Sequence, residues 1–109
     1  MANTFKLKTK ANVGVTTGGI YTAPAATTTV VIGITMANTS GSGVNVGVGI
    51  TRAGTTEDVK LLKNAPIPSG SSLEFMSGNK IVLEATDTVT VDSDTNNSVD
   101  ASLTIMEIT

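Results

Sequence analysis

Cysteine, histidine and tryptophan are all missing from this chain of 109 residues. Without cysteine there can be no disulfide framework and no thiolate metal site, so a small secreted scaffold stapled by disulfides is excluded. Without histidine or cysteine the common nucleophile–base triads cannot be assembled. A Ser–Lys dyad remains formally open, but no motif marks one. The aromatics are only Phe5, Tyr21 and Phe75, too few for a sugar-stacking platform. The adjacent carboxylates Glu57 and Asp58 would point to opposite sides of a strand, so they do not form the facing pair that glycoside hydrolysis needs.

Charge is also scarce. Charged residues make up 15% of the chain and the formal net charge is −2, against roughly 25% charged residues in an average globular domain. Nucleic-acid binding needs clustered Lys and Arg to displace counterions, which a weakly acidic chain does not offer. No apolar run is long enough for a membrane-spanning helix. The start, Met1 to Lys8, lacks the apolar core of a signal peptide. The chain therefore reads as a protein made in the cytoplasm that leaves it only by assembly or lysis. Low charge is more natural in a subunit covered by neighbours than in a free monomer, which uses charge to stay soluble.

What is abundant is threonine, 19 residues, with 11 glycines and many serines and asparagines. Threonine suits a half-buried pleat, and glycine and asparagine suit turns. Alternation with period two recurs from end to end, and a period of 3.6 is nowhere sustained. Turn clusters punctuate it roughly every 8 to 15 residues, as in a sandwich or barrel. In the first strand Phe5, Leu7, Thr9, Ala11, Val13 and Val15 share one face, and Lys6, Lys8, Lys10 and Asn12 share the other. A short strand around Tyr21 leads to Pro24. Strands Thr28–Ala37 and Val44–Thr51 read as a hairpin across Asn38 to Gly43. Its register sets Met36 opposite Val44, Ile34 opposite Val46, Ile32 opposite Val48 and Val30 opposite Ile50, which gathers the bulky aliphatics on one face. The other face then holds Gly33, Gly47 and Gly49 and is nearly bare. Such glycines often mark close approach by another backbone, either a loop or the N-terminal arm of the same chain, or a neighbouring subunit.

Asp58–Lys63 reads as a strand, and Asn64 to Gly70, with Pro66 and Pro68, as a rigid loop. Short strands follow at Ser72–Met76 and Ile81–Ala85. A final hairpin pairs Thr88–Val91 with Val99–Ile108, Val91 facing Val99 and Val89 facing Ala101. The total is eight or nine strands and no helix.

Three features invite a functional reading. Asp92, Asp94 and Asn96 match the first three ligand positions of a calcium loop. The sixth position is Asn97 where glycine is needed, and the twelfth is Leu103 where a glutamate belongs. A polar hairpin loop whose side chains cap their own backbone explains these residues better than calcium does. Gly41 to Gly47 has neither the spacing nor the following helix of a phosphate loop. The stripe Lys6, Lys8 and Lys10 either blocks edge-to-edge aggregation or docks on an acidic partner surface.

The run Ile20-Tyr21-Thr22-Ala23-Pro24-Ala25-Ala26-Thr27-Thr28-Thr29-Val30-Val31-Ile32-Gly33, continuing to Met36-Ala37-Asn38-Thr39, resembles a pattern in short accessory virion proteins of tailed bacteriophages, cyanophages among them. The later passage Leu62 to Leu73, with its two prolines, and the closing strand Ala101 to Ile108 are similar to the same pattern. The resemblance spans most of the chain. It implies a β-sandwich that coats or joins parts of a particle, such as a capsid decoration (cement) protein, and it brings no catalytic residues. The lysine-striped N-terminus has no counterpart in the pattern.

The expectations are these. The fold is all-β, an antiparallel two-layer β-sandwich, jelly-roll-like or immunoglobulin-like. Residues 1–109 form one domain, with 1–15 as an N-terminal arm or edge strand. The chain is a structural virion protein and not an enzyme, acting as a capsid decoration protein that stabilises the shell. The alternatives are a neck, tail or baseplate component, or a module recognising the host surface. Contacts would run through Lys6, Lys8, Lys10, Gly33, Gly47, Gly49, Pro66 and Pro68. Partners would be further copies of the chain, as a dimer or trimer, and a major capsid protein or other virion protein. No nucleic acid, membrane, small-molecule substrate, metal or cofactor is expected. The location would be the virion, assembled in the host cytoplasm.

Overall fold

A computed structural model of the protein describes residues 3–16, 18–53, 57–75 and 80–109. The described residues contain no helix and nine strands: β1 (Asn3–Lys10), β2 (Gly18–Thr22), β3 (Thr28–Asn38), β4 (Val44–Arg52), β5 (Glu57–Ile67), β6 (Ser72–Phe75), β7 (Ile81–Leu83), β8 (Thr88–Ser93) and β9 (Val99–Ile108). They form two antiparallel sheets. One has the order β1-β9-β3-β6, with β7 also paired to β3, and the other has the order β2-β8-β4-β5. Strands β6 and β7 pair with successive parts of β3, at Ile34–Ala37 and Thr29–Val31, and so share one strand position.

The order has a simple logic. The chain pairs with itself from the ends inward: β1 with β9, β2 with β8, β3 with β6 and β7, β4 with β5. That long double ribbon is rolled up so that β9 also meets β3 and β8 also meets β4. This is the jelly roll, which settles the choice left open between jelly-roll and immunoglobulin-like sandwiches.

The two expected hairpins are not hairpins. β3 and β4 lie in opposite sheets, and so do β8 and β9. Each connection is an arch that carries the chain across the core. Aliphatics of the two strands instead face one another through the interior: Val31, Ile34 and Met36 from β3, and Val44, Val46, Val48 and Ile50 from β4, are all buried. A bulge between Val31 and Gly33 shifts the phase of β3. That is why Val31, and not Val30 or Ile32, points inward. By the same correction Gly33 lies on a different sheet from Gly47 and Gly49.

The core is aliphatic. Besides these residues it holds Val13, Ile67, Leu83, Val89, Val91, Val99, Leu103 and Ile105, each at most 2% exposed. Two arches close the same end of the barrel-like stack. Thr39 N donates to the Ser98 carbonyl at 2.8 Å and Asp94 N to the Asn45 carbonyl at 2.9 Å. β5 runs on to Ile67, beyond the expected stop at Lys63, and takes in Pro66. It pairs only with β4. An edge strand tolerates a proline because no second neighbour needs its missing N–H. Asn64, with φ of 53°, sits where the β4–β5 register slips. Met76, read as the last residue of the Ser72–Met76 strand, lies outside the described residues, as do residues 54–56 and 77–79.

Candidate interaction surfaces

β1 is an edge strand, paired along its length with β9 from Asn3↔Ile108 to Lys10↔Ala101. Its alternation is the one read from the sequence, and the structure adds which face is covered. Phe5 and Leu7 face solvent, 69% and 65% exposed, and the lysines take the inward side. On that side a polar cluster fills the open edge of the sandwich. Lys6 Nζ lies 2.9 Å from Glu107 Oε1, and the Glu107 side chain is only 8% exposed. Tyr21 on β2 donates its hydroxyl proton to Glu107 Oε2 at 2.6 Å. Thr29 Oγ1 on β3 sits 2.9 Å from the Tyr21 oxygen and, with that proton committed, donates to it. Four strands are tied through one carboxylate.

The electrostatics follow from this geometry. The hydrogen bonds from Tyr21 and Lys6 hold the Glu107 carboxyl below its ordinary range, against the opposing effect of burial. Burial, with the acceptor Glu107 beside it, pushes the Tyr21 phenol up to about 12. Lys6 is thus engaged by this chain's own carboxylate. Lys10 turns the same way, and a methyl group at Gly18 of β2 would meet its Cε at 3.9 Å. Inward-pointing lysines on an edge strand also discourage pairing with a foreign strand.

The glycines of β4 are covered from within the chain. A methyl group at Gly49 would lie 2.9 Å from the Val59 carbonyl oxygen and 3.1 Å from Thr90 Oγ1. One at Gly47 would collide with the Asp92 carboxylate and lie 3.2 Å from the Leu62 carbonyl oxygen. The backbone of β5 and side chains of β8 fill the space that looked bare in the sequence. Gly33 differs, because a methyl group there would have no atom within 4 Å. Pro66 and Pro68 flank buried Ile67 and are themselves exposed.

The Asp92 to Asn97 segment is an arch whose oxygens serve the backbone. Asp94 Oδ1 accepts from Asn45 N at 3.1 Å, and Asn96 Oδ1 accepts from Val15 N at 3.2 Å. Lys60 Nζ lies 3.9 Å from Asp92 Oδ2. Among the described residues no three acidic side chains converge as a metal site. At the other end of the sandwich Arg52 ties down the β7–β8 turn, with Nε 3.0 Å from Asp87 Oδ2 and Nη2 2.6 Å from Glu84 Oε1.

Sequence reasoning missed the outward apolar row. Phe5, Met106, Val30 and Val82 are successive cross-strand partners on β1, β9, β3 and β7, and Val82 is 59% exposed. Its members come from four distant segments, so only the strand order could have assembled it.

The chain is therefore a jelly-roll β-sandwich that offers surfaces, with no pocket of converging catalytic groups among its described residues. No family model and no curated protein matches the sequence. Solved structures share the fold. One is a chain of the Bacillus endospore appendages, described as disulfide-linked pili, at 16% identity and TM-score 0.57, covering 99% of this chain and 87% of that one. Another belongs to the capsid of the Helicobacter pylori bacteriophage KHP30, at 11% identity and TM-score 0.58, covering 98% of this chain and 87% of that one. A third belongs to infectious bursal disease virus, at 13% identity and TM-score 0.59. It matches 96% of this chain, which spans only 32% of that one.

Proposed function

We propose that this protein is a structural component of a virion, and specifically a decoration protein that binds and stabilises the shell of a tailed phage. The observation that carries the reading is the whole-chain likeness to the bacteriophage capsid chain, of which this protein covers 87%. The sequence resemblance to accessory virion proteins and the low charge point the same way. The pilus chain of similar fold is described as disulfide-linked, and this chain has no cysteine to make such links.

The mechanism is mass action. A protein that binds the assembled shell and not its free subunits shifts the equilibrium toward the shell. Of the contacts expected from the sequence, Pro66 and Pro68 are exposed and Gly33 is open, so these remain available for it. Gly47 and Gly49 are already covered. Purified protein should co-sediment with shells of the phage that encodes it, saturating at a regular stoichiometry. Failure to pellet with shells, together with binding to isolated tails or to host cells, would reassign it to a tail component or a host-recognition module.

A further inference from the structure

The outer face of the β1-β9-β3-β6/β7 sheet has an internal asymmetry. Its register gives parallel cross-strand rows. The row Phe5–Met106–Val30–Val82 is bulky and apolar, and the row Thr9–Ser102–Thr35–Glu74 is small and polar until its rim. Between them lies the row Leu7–Thr104–Gly33. On the small-residue side the face sinks into a hollow of about 320 Å³, where the charged Lys10 and Asp100 stand beside Thr9, Ala11, Thr35 and Ser102. A ridge and a hollow thus stand on one face, two pleat repeats to either side of each other, with a leucine and an open glycine midway.

We propose that this face is a homotypic interface, where a second copy of the chain packs face to face about a two-fold axis running along the Leu7–Thr104–Gly33 row. Such an axis lays the strands of the two copies antiparallel. It brings the Phe5–Met106–Val30 ridge of each copy over the Thr9–Ser102–Thr35 hollow of the other, as a self-complementary two-fold contact requires. Leu7 meets its own symmetry mate on the axis, and Gly33 leaves room there. Among the described strand residues on this face only Glu74 and Asp100 are charged, and Glu74 stands at the rim. Lys6 and Lys8 point to the other side of β1, and Lys10 and Asp100 at the hollow are of opposite sign, so no like-charge row opposes contact.

The size is sufficient. Four strand positions about 4.8 Å apart and eight residues rising about 3.4 Å each give a footprint of about 500 Å² per copy. The pair would bury about 1,000 Å² in total, the lower bound for a specific interface. The opposite sheet offers no equivalent, because its outer face carries Asp92, Thr90 and Lys60 over the glycines. This inference goes beyond the virion reading and holds whether or not the chain binds a shell.

Sedimentation velocity across the micromolar range tests it on the whole chain. The wild type should be a dimer, and Leu7→Glu and Phe5→Glu should be monomers at the same concentrations. Both residues are exposed, so both variants should keep the wild-type circular dichroism spectrum. The chain has no cysteine, so Leu7→Cys presents a single thiol. Aligned sheets pack about 10 Å apart, and a short bis-maleimide should therefore link Leu7→Cys copies but not Thr22→Cys copies, whose thiol lies on the other sheet. A wild type that stays monomeric, or a dimer that survives Leu7→Glu, would overturn the proposal. So would a monomer whose shell binding is lost in Leu7→Glu, since that outcome gives the face to the shell protein.

Discussion

Lys6 and Glu107 meet at 2.9 Å across the β1–β9 ladder, on the side of β1 that faces inward, while its phenylalanine and leucine face out. An edge strand held by its backbone and one buried carboxylate differs from a strand held by an apolar face. Its stability should depend on that carboxylate. Replacing Lys6 by Met keeps the stem and removes the charge, leaving Glu107 buried with Tyr21 alone. The expected loss is about 1–2 kcal/mol at neutral pH, the cost of an incompletely satisfied buried acceptor, measured as the shift in the urea midpoint. Glu107→Leu in the Lys6→Met background should recover part of it, because no buried charge then remains to be compensated. A double variant less stable than Lys6→Met would show that the carboxylate does not need its lysine.

The same cluster sets two pH limits. Glu107 has its carboxyl held below the ordinary value of 4.5 in the folded state. Its contribution is therefore complete above that value and is lost as pH falls through the lower folded value, where protonation breaks the Lys6 pair. Tyr21 has its phenol raised from 10.0 to about 12. Its contribution is complete below pH 10 and is lost as pH rises toward 12, because the unfolded phenol ionises first. Denaturation midpoints across pH for the wild type and for Glu107→Gln should diverge at neutral pH and converge in acid. Parallel curves below the ordinary carboxyl range would refute the assignment.

Gly49 and Gly47 within β4 and Gly41 in the arch before it should respond differently to alanine. Gly49→Ala would drive a methyl group to 2.9 Å from the Val59 carbonyl, a contact with backbone that cannot rotate away. Overpacking of this kind costs about 1–3 kcal/mol. Gly47→Ala must displace the Asp92 carboxylate and should cost a similar amount. Gly41, in the β3–β4 arch, has nothing within 4 Å and no positive φ, so its alanine variant should be neutral or slightly more stable. Thermal unfolding of the three variants side by side gives the ranking. Gly49→Ala as stable as Gly41→Ala would mean that β5 does not lie over β4 as described.

The contrast between strand content and strand partnership explains what the sequence could and could not tell. Alternation reports that one side of a strand is buried, and it placed β3, β4, β8 and β9 nearly to the residue. It does not report whether the matching strand lies beside it or across the core. Met36 and Val44 satisfy the pattern equally as ladder neighbours and as facing core residues. The bulge at Ile32 and Gly33 shifts the inward set with no change in composition. Which face of β1 turns inward is set by its pairing with β9, where Lys6 meets the remote Glu107, and no local pattern could announce it. Pro66 suggested a loop because the edge position of β5 was invisible. The expected contact residues were judged by their bareness or charge. The structure instead shows Gly47 and Gly49 filled from within and Lys6 already paired, whereas the exposed ridge was spread over four separate segments.

One buried side chain offers a sharp test of the arch itself. Asn38 ends β3 almost fully buried, and every hydrogen-bonding position of its amide is used. Nδ2 donates to the Ser42 carbonyl at 2.8 Å and to the Ile67 carbonyl at 2.9 Å. Oδ1 accepts from Ser40 N at 2.9 Å and from Ser40 Oγ at 2.8 Å. The amide thus closes the β3–β4 arch and fastens it to the end of β5. Aspartate has the same shape, but Asn38→Asp sets a carboxylate oxygen against two carbonyls in place of two donors. The loss of both bonds and the burial of an uncompensated charge should destabilise the fold by about 3–5 kcal/mol at neutral pH. Protonating that carboxyl restores one donor and removes the charge, so the deficit should shrink in acid. The Lys6–Glu107 pair predicts the opposite trend for the wild type. Comparing the two proteins over the same pH series therefore separates the arch from the edge strand. An Asn38→Asp variant whose deficit does not change with pH would mean that the amide does not bridge the two carbonyls.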